Sequence, residues 1–420
     1  MRQRVVVTGI GCISCFGIGH RSFADAITAG ASGIRPISTF DTSRCRSHCA
    51  ATIDGFDPAA FIAPLKLRRI DAVGRLALAC ARLLIDDAAL AIGSGGTDDV
   101  GVSLGTYTAG LDSTVEYLQG LTRYGPSGVP ALLFSNTVSN APASLCAIEH
   151  GLRGPNVTFN QREASSLAAL GYAAGIIGDG RVAAMLSGGT DRLEETFFKV
   201  HDRFRALSPM HGREEVARPF DRRRNGFVLG EAGVMLLLER ADAAARRGAR
   251  PYGEILGIGM TASATRQNAW PADPSGIARA LRLALVDAGT APGDIDMVVA
   301  AANGSRLDRI EAEAICAVFG DSAVPVVSLK GAIGESGAAG SAGVVAGLLT
   351  LAAGVVPPTA GFAEADPSAG VNVSSEARSS NGGTFVVNAV ASGGTNCTLV
   401  VRAAPRVTYP HTVAPRLHDA

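Results

Sequence analysis

The sequence predicts a layered α/β protein with mostly parallel sheets, built twice over. Three observations predict it. Short β-branched runs ending in glycine alternate with longer apolar stretches at helical spacing along the chain. The stretch ASSLAALGYAAGII is apolar on nearly every side, as expected of a helix enclosed by other elements. Finally, hydrophobic residues make up 47%, aromatics 5%, and 51 of the 420 residues are glycine. Small side chains of that kind let helices lie close on a sheet.

The elements follow in order. Residues 4–10 (RVVVTGI) read as a buried parallel strand, and 71–92 as a long, largely buried helix. VGVSLGT at 100–106 is the next strand. Residues 151–160 form a turn and strand that lead into the apolar helix. RVAAMLSGGTD (181–191) and GFVLGEAGVMLLLER (226–240) are further strands, and RRRNG before the second reads as a solvated loop. From about 251 the plan recurs: helix GIARALRLALVDAGT, strand DMVVAAANG, a helix at 308–319, strand VPVVSLK, a small-residue helix at 337–353 and paired strands at 384–402. This gives units of 1–250 and 251–403, with 404–420 as a loose tail rich in Pro, Arg and His. VVVTGIG and VVAAANG are weak echoes of each other and hint at duplication.

Lys+Arg and Asp+Glu both number 38, so the formal charge is zero. Neither nucleic acid nor an anionic membrane is an expected partner. The amino-terminal apolar run is short and broken by glycines, and reads as a strand rather than a signal peptide. No long, unbroken apolar stretch suits a membrane span, so a cytoplasmic location is expected. A neutral, apolar chain stays soluble most readily by burying a face in an oligomer. Eight cysteines include Cys12-x-x-Cys15 and the group Cys45, His48, Cys49. Either would suit zinc, but scattered reduced thiols are the favoured reading, and no metal or cofactor is expected.

Several motifs stand in one order: RVVVTGIG at the start, FDTS at 40–43, HGLRGP at 150–155, GYAAGIIGDG at 171–180, PFDRRRNGFVLGEAG at 219–233, VPPT at 356–359 and GGTN at 393–396. Together they resemble the β-ketoacyl carrier-protein synthases of the thiolase-like superfamily. The resemblance implies a five-layered α-β-α-β-α fold of two similar halves, normally dimeric. It also implies a cysteine thiolate at a helix N-terminus, two histidines that support malonyl decarboxylation, and an oxyanion hole beside a phenylalanine. Anchored on GYAAGII, the cysteine position falls on Glu163. The histidine positions fall on Asn303 and Glu335, and the phenylalanine position on Ser392, while the family's Lys330 is kept. No cysteine lies between Cys146 and Cys316, so no shift of register restores the nucleophile.

What the resemblance then implies is a catalytically inactive subunit, similar to the chain-length factor of type II polyketide synthases. Its expected partners are an active ketosynthase, as a heterodimer, and an acyl carrier protein bearing a phosphopantetheine-linked chain. Relatives of this kind often carry glutamine where Glu163 stands, and the departure favours linear, polyene-type chains over aromatic ones. The alternatives are a malonyl decarboxylase or a remodelled acyltransferase. Glu163, Asn303, Glu335 and Lys330 are expected to form one hydrogen-bonded, partly ionic plug, with Arg162, water or a shared proton balancing charge. The other reading is a collapsed cleft in which some of them face solvent. Gly110, Ser113 and Tyr117 match the family's chain-length gate, ordinary helix packing being the alternative.

Overall fold

The computed structural model describes residues 2–212, 214–320 and 324–405; the expected tail lies, beyond 405, outside the described residues. The N-terminal half supplies strands β1 (Val5–Ser14), β2 (Val100–Gly105), β3 (Asn156–Phe159), β4 (Ala184–Asp191) and β5 (Ala232–Arg240). The C-terminal half supplies β6 (Gly253–Ala262), β7 (Met297–Val299), β8 (Pro325–Val327), β9 (Asn372–Val373), β10 (Thr384–Val390) and β11 (Thr395–Ala403). They lie in the order β9-β8-β7-β10-β11-β6-β1-β5-β4-β2-β3. β1 and β6 meet only along Val5 to Val7, and this short seam joins the two half-sheets. Outward from the seam the halves run β1-β5-β4-β2-β3 and β6-β11-β10-β7-β8. The same ranks recur, so the thiolase-like fold is a duplication.

The helices that matter here are α1 (Ala72–Asp87), α2 (Leu111–Tyr124), α3 (Ala141–His150), α4 (Ser165–Gly178), α5 (Glu195–Arg203), α6 (Ser275–Ala288), α7 (Leu307–Phe319) and α8 (Ala339–Ala352). α4 and α8 touch each other and strands of both half-sheets, forming the middle layer, while α1 covers β1 and α6 covers β6 from outside. Apolar residues therefore face α4 on every side, which is why it needs no polar stripe. α1 starts where the Asp71 side chain accepts the Gly74 N–H at 2.7 Å, an N-cap.

Two corrections concern direction and repeat. The sheet is mixed: β1 is antiparallel to both β5 and β6, and β4 to β5, while β2 is parallel to β3 and β4. A strand covered on both faces is apolar throughout whichever way its neighbours run, so composition could not give direction. The repeat is also not the one the echo suggested. β1 corresponds to β6, not to β7, and the signal is Gly9-Ile10-Gly11 against Gly257-Ile258-Gly259. A Cβ on Gly11 would run into the Cys80 carbonyl of α1, and one on Gly259 into the Ala280 carbonyl of α6. The same close helix-on-strand approach is thus built twice.

Two local readings also change. Regular strand in 226–240 starts only at Ala232; before it, Leu229 makes a single bridge to Glu335. The Arg222–Arg224 stretch is not simply solvated, because Arg222 pairs with Glu364, Arg223 with Asp221 and Arg224 with Asp366. Among the described residues no helix is long and apolar enough to cross a membrane.

Candidate functional site

The carboxyl ends of four strands converge on the start of α4. Tyr107 follows β2, Asp191 ends β4, Asn303 lies shortly after β7 and Ser392 follows β10. Glu163 sits in the 3-10 turn Arg162–Ala164 that leads into α4, and is 4% exposed. Its carboxylate accepts the backbone N–H of Ser392 at 2.9 Å and the Ser392 hydroxyl at 2.8 Å. A carboxylate at this place gains from the helix dipole and from two donors already in position.

The other positions form a second group. Glu335 is buried, pairs with Lys330 in an ionic hydrogen bond, and accepts the Asn303 amide at 2.8 Å. Burial pushes the Glu335 carboxyl up; the Lys330 ammonium opposes this, and the charge of Glu163 adds to it. Asn303 is held by Asp308, which accepts the N–H groups of Phe220, Asn303 and Gly304 at 2.7–3.1 Å. Glu335 is held by its own backbone, which bonds Val228 and Gly230. Losing Lys330 would strand a buried carboxylate, at a cost of about 3–5 kcal/mol.

The single plug expected from the sequence is therefore two clusters. Lys330, Glu335 and Asn303 come together, while Glu163 binds Ser392 instead. Arg162 also donates to Ser392, to its carbonyl at 2.8 Å and its hydroxyl at 3.0 Å. Glu163 and Glu335 both line a cavity of about 10 Å³, and Glu163 and Lys330 a second of about 10 Å³. Each has room for roughly one water molecule.

Sequence reasoning missed three members. Tyr107 lines the cavity beside Glu163, and burial, then the Glu163 charge, push its phenol up. Asp191 ties the chamber floor, accepting the N–H groups of Tyr107 (2.7 Å), Thr108 (2.9 Å) and Gly337 (2.6 Å). His201 of α5 packs on Phe197 in a tilted contact, ring centroids 4.2 Å apart, and burial lowers its pKa. Tyr107 and Asp191 were within reach, since sites in α/β sheets gather at the carboxyl ends of strands; His201 carried no such signal.

The gate candidates lie elsewhere, on α2. Gly110 caps its start with φ +82°, and a Cβ there would lie 2.7 Å from the Thr137 carbonyl oxygen. Ser113 is buried, and Tyr117 packs on Phe134 with ring centroids 6.0 Å apart. Cys12 and Cys15 are buried free thiols, burial pushing Cys15 up to about 12. Among the described residues no group of three or more His, Cys, Asp or Glu is placed to hold a metal ion.

A five-layered duplication with polar groups gathered at the start of the buried N-half helix defines the thiolase-like class. The models for the N-terminal and C-terminal domains of β-ketoacyl synthase match residues 2–244 and 252–363, and the chain belongs to that family. It is similar to the tetracenomycin polyketide synthase ketoacyl synthase beta subunit of Streptomyces glaucescens, 35% identical over 95% of this chain and 98% of that one. It is also similar to the 3-oxoacyl-(acyl-carrier-protein) synthase 2 of Coxiella burnetii, 31% identical over 95% of this chain and 98% of that one. Among solved structures, the ishigamide ketosynthase/chain length factor superposes with a TM-score of 0.89 at 32% identity, covering 96% of this chain and 100% of that one.

Proposed function

We propose that this chain is the non-condensing, chain-length-setting subunit of a type II ketosynthase, working beside an active partner on acyl groups carried by an acyl carrier protein. One observation carries the reading. At the start of α4, where a condensing enzyme of this family needs a free thiolate, stands the Glu163 carboxylate with both oxygens bound to Ser392. A carboxylate forms no thioester, and the Ser392 N–H that would receive a thioester oxygen is occupied. Asn303 and Glu335, at the histidine positions, bond each other, and malonyl decarboxylation gains no support from that arrangement.

Pairing with a second ketosynthase-like chain is supported by one face. Among the described residues β3 pairs with β2 alone and leaves an open sheet edge. Asn160, just past β3, donates to the Ser139 hydroxyl at 3.3 Å, and Leu118, Leu132, Phe134 and Val138, on α2 and the segment leading to Ser139, are 46–61% exposed. Open edges and grouped apolar side chains are surfaces that a partner covers.

The test is purification of the chain alone and co-expressed with an intact ketosynthase. A one-to-one complex that alone elongates malonyl carrier protein is expected. Elongation by the lone chain at a rate comparable to the complex overturns the proposal.

A further inference from the structure

Arg162 stands immediately before Glu163 and adopts φ +53°, a left-handed conformation that an arginine rarely takes. Its guanidinium reaches Ser392, Asn268 and the Tyr107 ring. One nitrogen donates to the carbonyl and hydroxyl of Ser392, in the turn between β10 and β11. The other donates to Asn268, in the loop after β6. The guanidinium carbon also lies 5.7 Å from the centre of the Tyr107 ring, beyond the end of β2. Three segments from both halves of the molecule are thus tied by one side chain.

The ties are reinforced around it. Gly393 donates to the Ala269 carbonyl at 3.0 Å, Ser263 to the Gly394 carbonyl at 2.8 Å, and Thr395 to the Gln161 side chain at 3.0 Å. Asn268, itself at φ +63°, is exposed, Arg162 is half-buried, and Glu163 is buried. Arg162 therefore covers Ser392, which bonds Glu163, and Tyr107, which lines a cavity with Glu163. The two cavities that Glu163 lines measure about 10 Å³ each, whereas sites for small ligands measure about 300–1,000 Å³.

We propose that Arg162 is a specificity-determining latch that closes the Glu163 chamber to a thiol-ended pantetheine arm. A carrier-borne thioester then finds only the partner's site open. This rests on the non-condensing reading above, but its test does not. Glu163→Cys, made in the full chain, places a reporter thiol in the chamber, and mass mapping reads its alkylation by iodoacetamide at residue 163. With Arg162 present the thiol should react slowly; adding Arg162→Ala should speed it at least tenfold. Removing the arginine's charge lowers the thiolate fraction, so electrostatics alone predicts the opposite direction. Arg162→Lys keeps the charge, loses the fork, and should also speed the reaction.

If either double variant folds poorly by circular dichroism, Asn268→Ala, which removes only the exposed anchor, replaces it with the same expectation. The sole tryptophan, Trp270, is two residues from Asn268. Acrylamide quenching of its fluorescence should rise in Arg162→Ala with Glu163 intact. A thiol that reacts equally fast with and without Arg162, or quenching that stays unchanged, overturns the latch and leaves the non-condensing reading standing. Condensation by the lone chain would overturn that reading and leave the alkylation rates as measured.

Discussion

Glu311 shows how much of this site is scaffold made of carboxyl groups kept from water. It is fully buried; one oxygen accepts the Ala301 N–H at 2.8 Å and the Asn388 amide at 3.1 Å, and the other has no hydrogen-bond partner among the described residues. Burial raises its pKa from 4.5 to about 7. A carboxyl group raised on folding contributes stability fully below its unfolded pKa, and that stability is lost as the pH climbs through 4.5 to about 7. Glu311→Gln keeps the acceptor oxygen and removes the charge. In denaturant titrations at pH 5 and pH 8, the variant should gain about 2–3 kcal/mol on the natural chain between the two pH values. A gap that does not change with pH would mean that Glu311 ionises freely. At the same scale, the gathering of Glu163, Asn303, Glu335 and Ser392 in one place was legible because each could be counted from a fixed motif. Which of them bond each other was not, since that depends on side-chain directions across four strands.

At the scale of elements, α2 separates a turn residue from a packing residue. Gly110 holds φ +82° with the Thr137 carbonyl against it, so Gly110→Val should destabilise the chain by about 1–3 kcal/mol in thermal unfolding. Any change of product length with that variant reports the turn rather than a tunnel. Tyr117, packed on Phe134 at the edge of the apolar face, is the cleaner probe. Under the proposed function, Tyr117→Ala should lengthen the product of the assembled complex, read by mass spectrometry; an unchanged length removes Tyr117 from the gate. Elements also show why existence is easier to read than direction. α4 and α8 were visible as small-residue helices because residues on all sides of them must be apolar. The orientation of β1 was invisible because its neighbours come from residues 232–262, far along the chain.

For the whole molecule, the open edge of β3 and the apolar face beside it lie on the outside of the N-terminal half. Leu132 is 60% exposed there, so a charge at that position costs the isolated fold little. Leu132→Glu should leave the circular dichroism of the lone chain unchanged yet reduce the one-to-one complex by at least tenfold in size-exclusion chromatography. A complex of undiminished yield would move the pairing surface elsewhere. The neutral charge balance and high apolar content read from the sequence point the same way, since both favour a chain that hides part of its surface.

By itself the sequence determined the layered class, the order of elements and the family, and it set the expectation that Glu163, Asn303 and Glu335 stand at the cysteine and histidine positions, because motif order and residue identity are one-dimensional facts. Buried periodicity and small residues record how much of an element is covered. Tertiary structure alone decided that the sheet is mixed, that Gly9-Ile10-Gly11 repeats as Gly257-Ile258-Gly259, and that the expected plug is two clusters with Arg162 bound to Ser392. Each of these depends on which distant segments meet, and a hydrogen bond of 3 Å joins residues such as Glu163 and Ser392 that lie 229 positions apart.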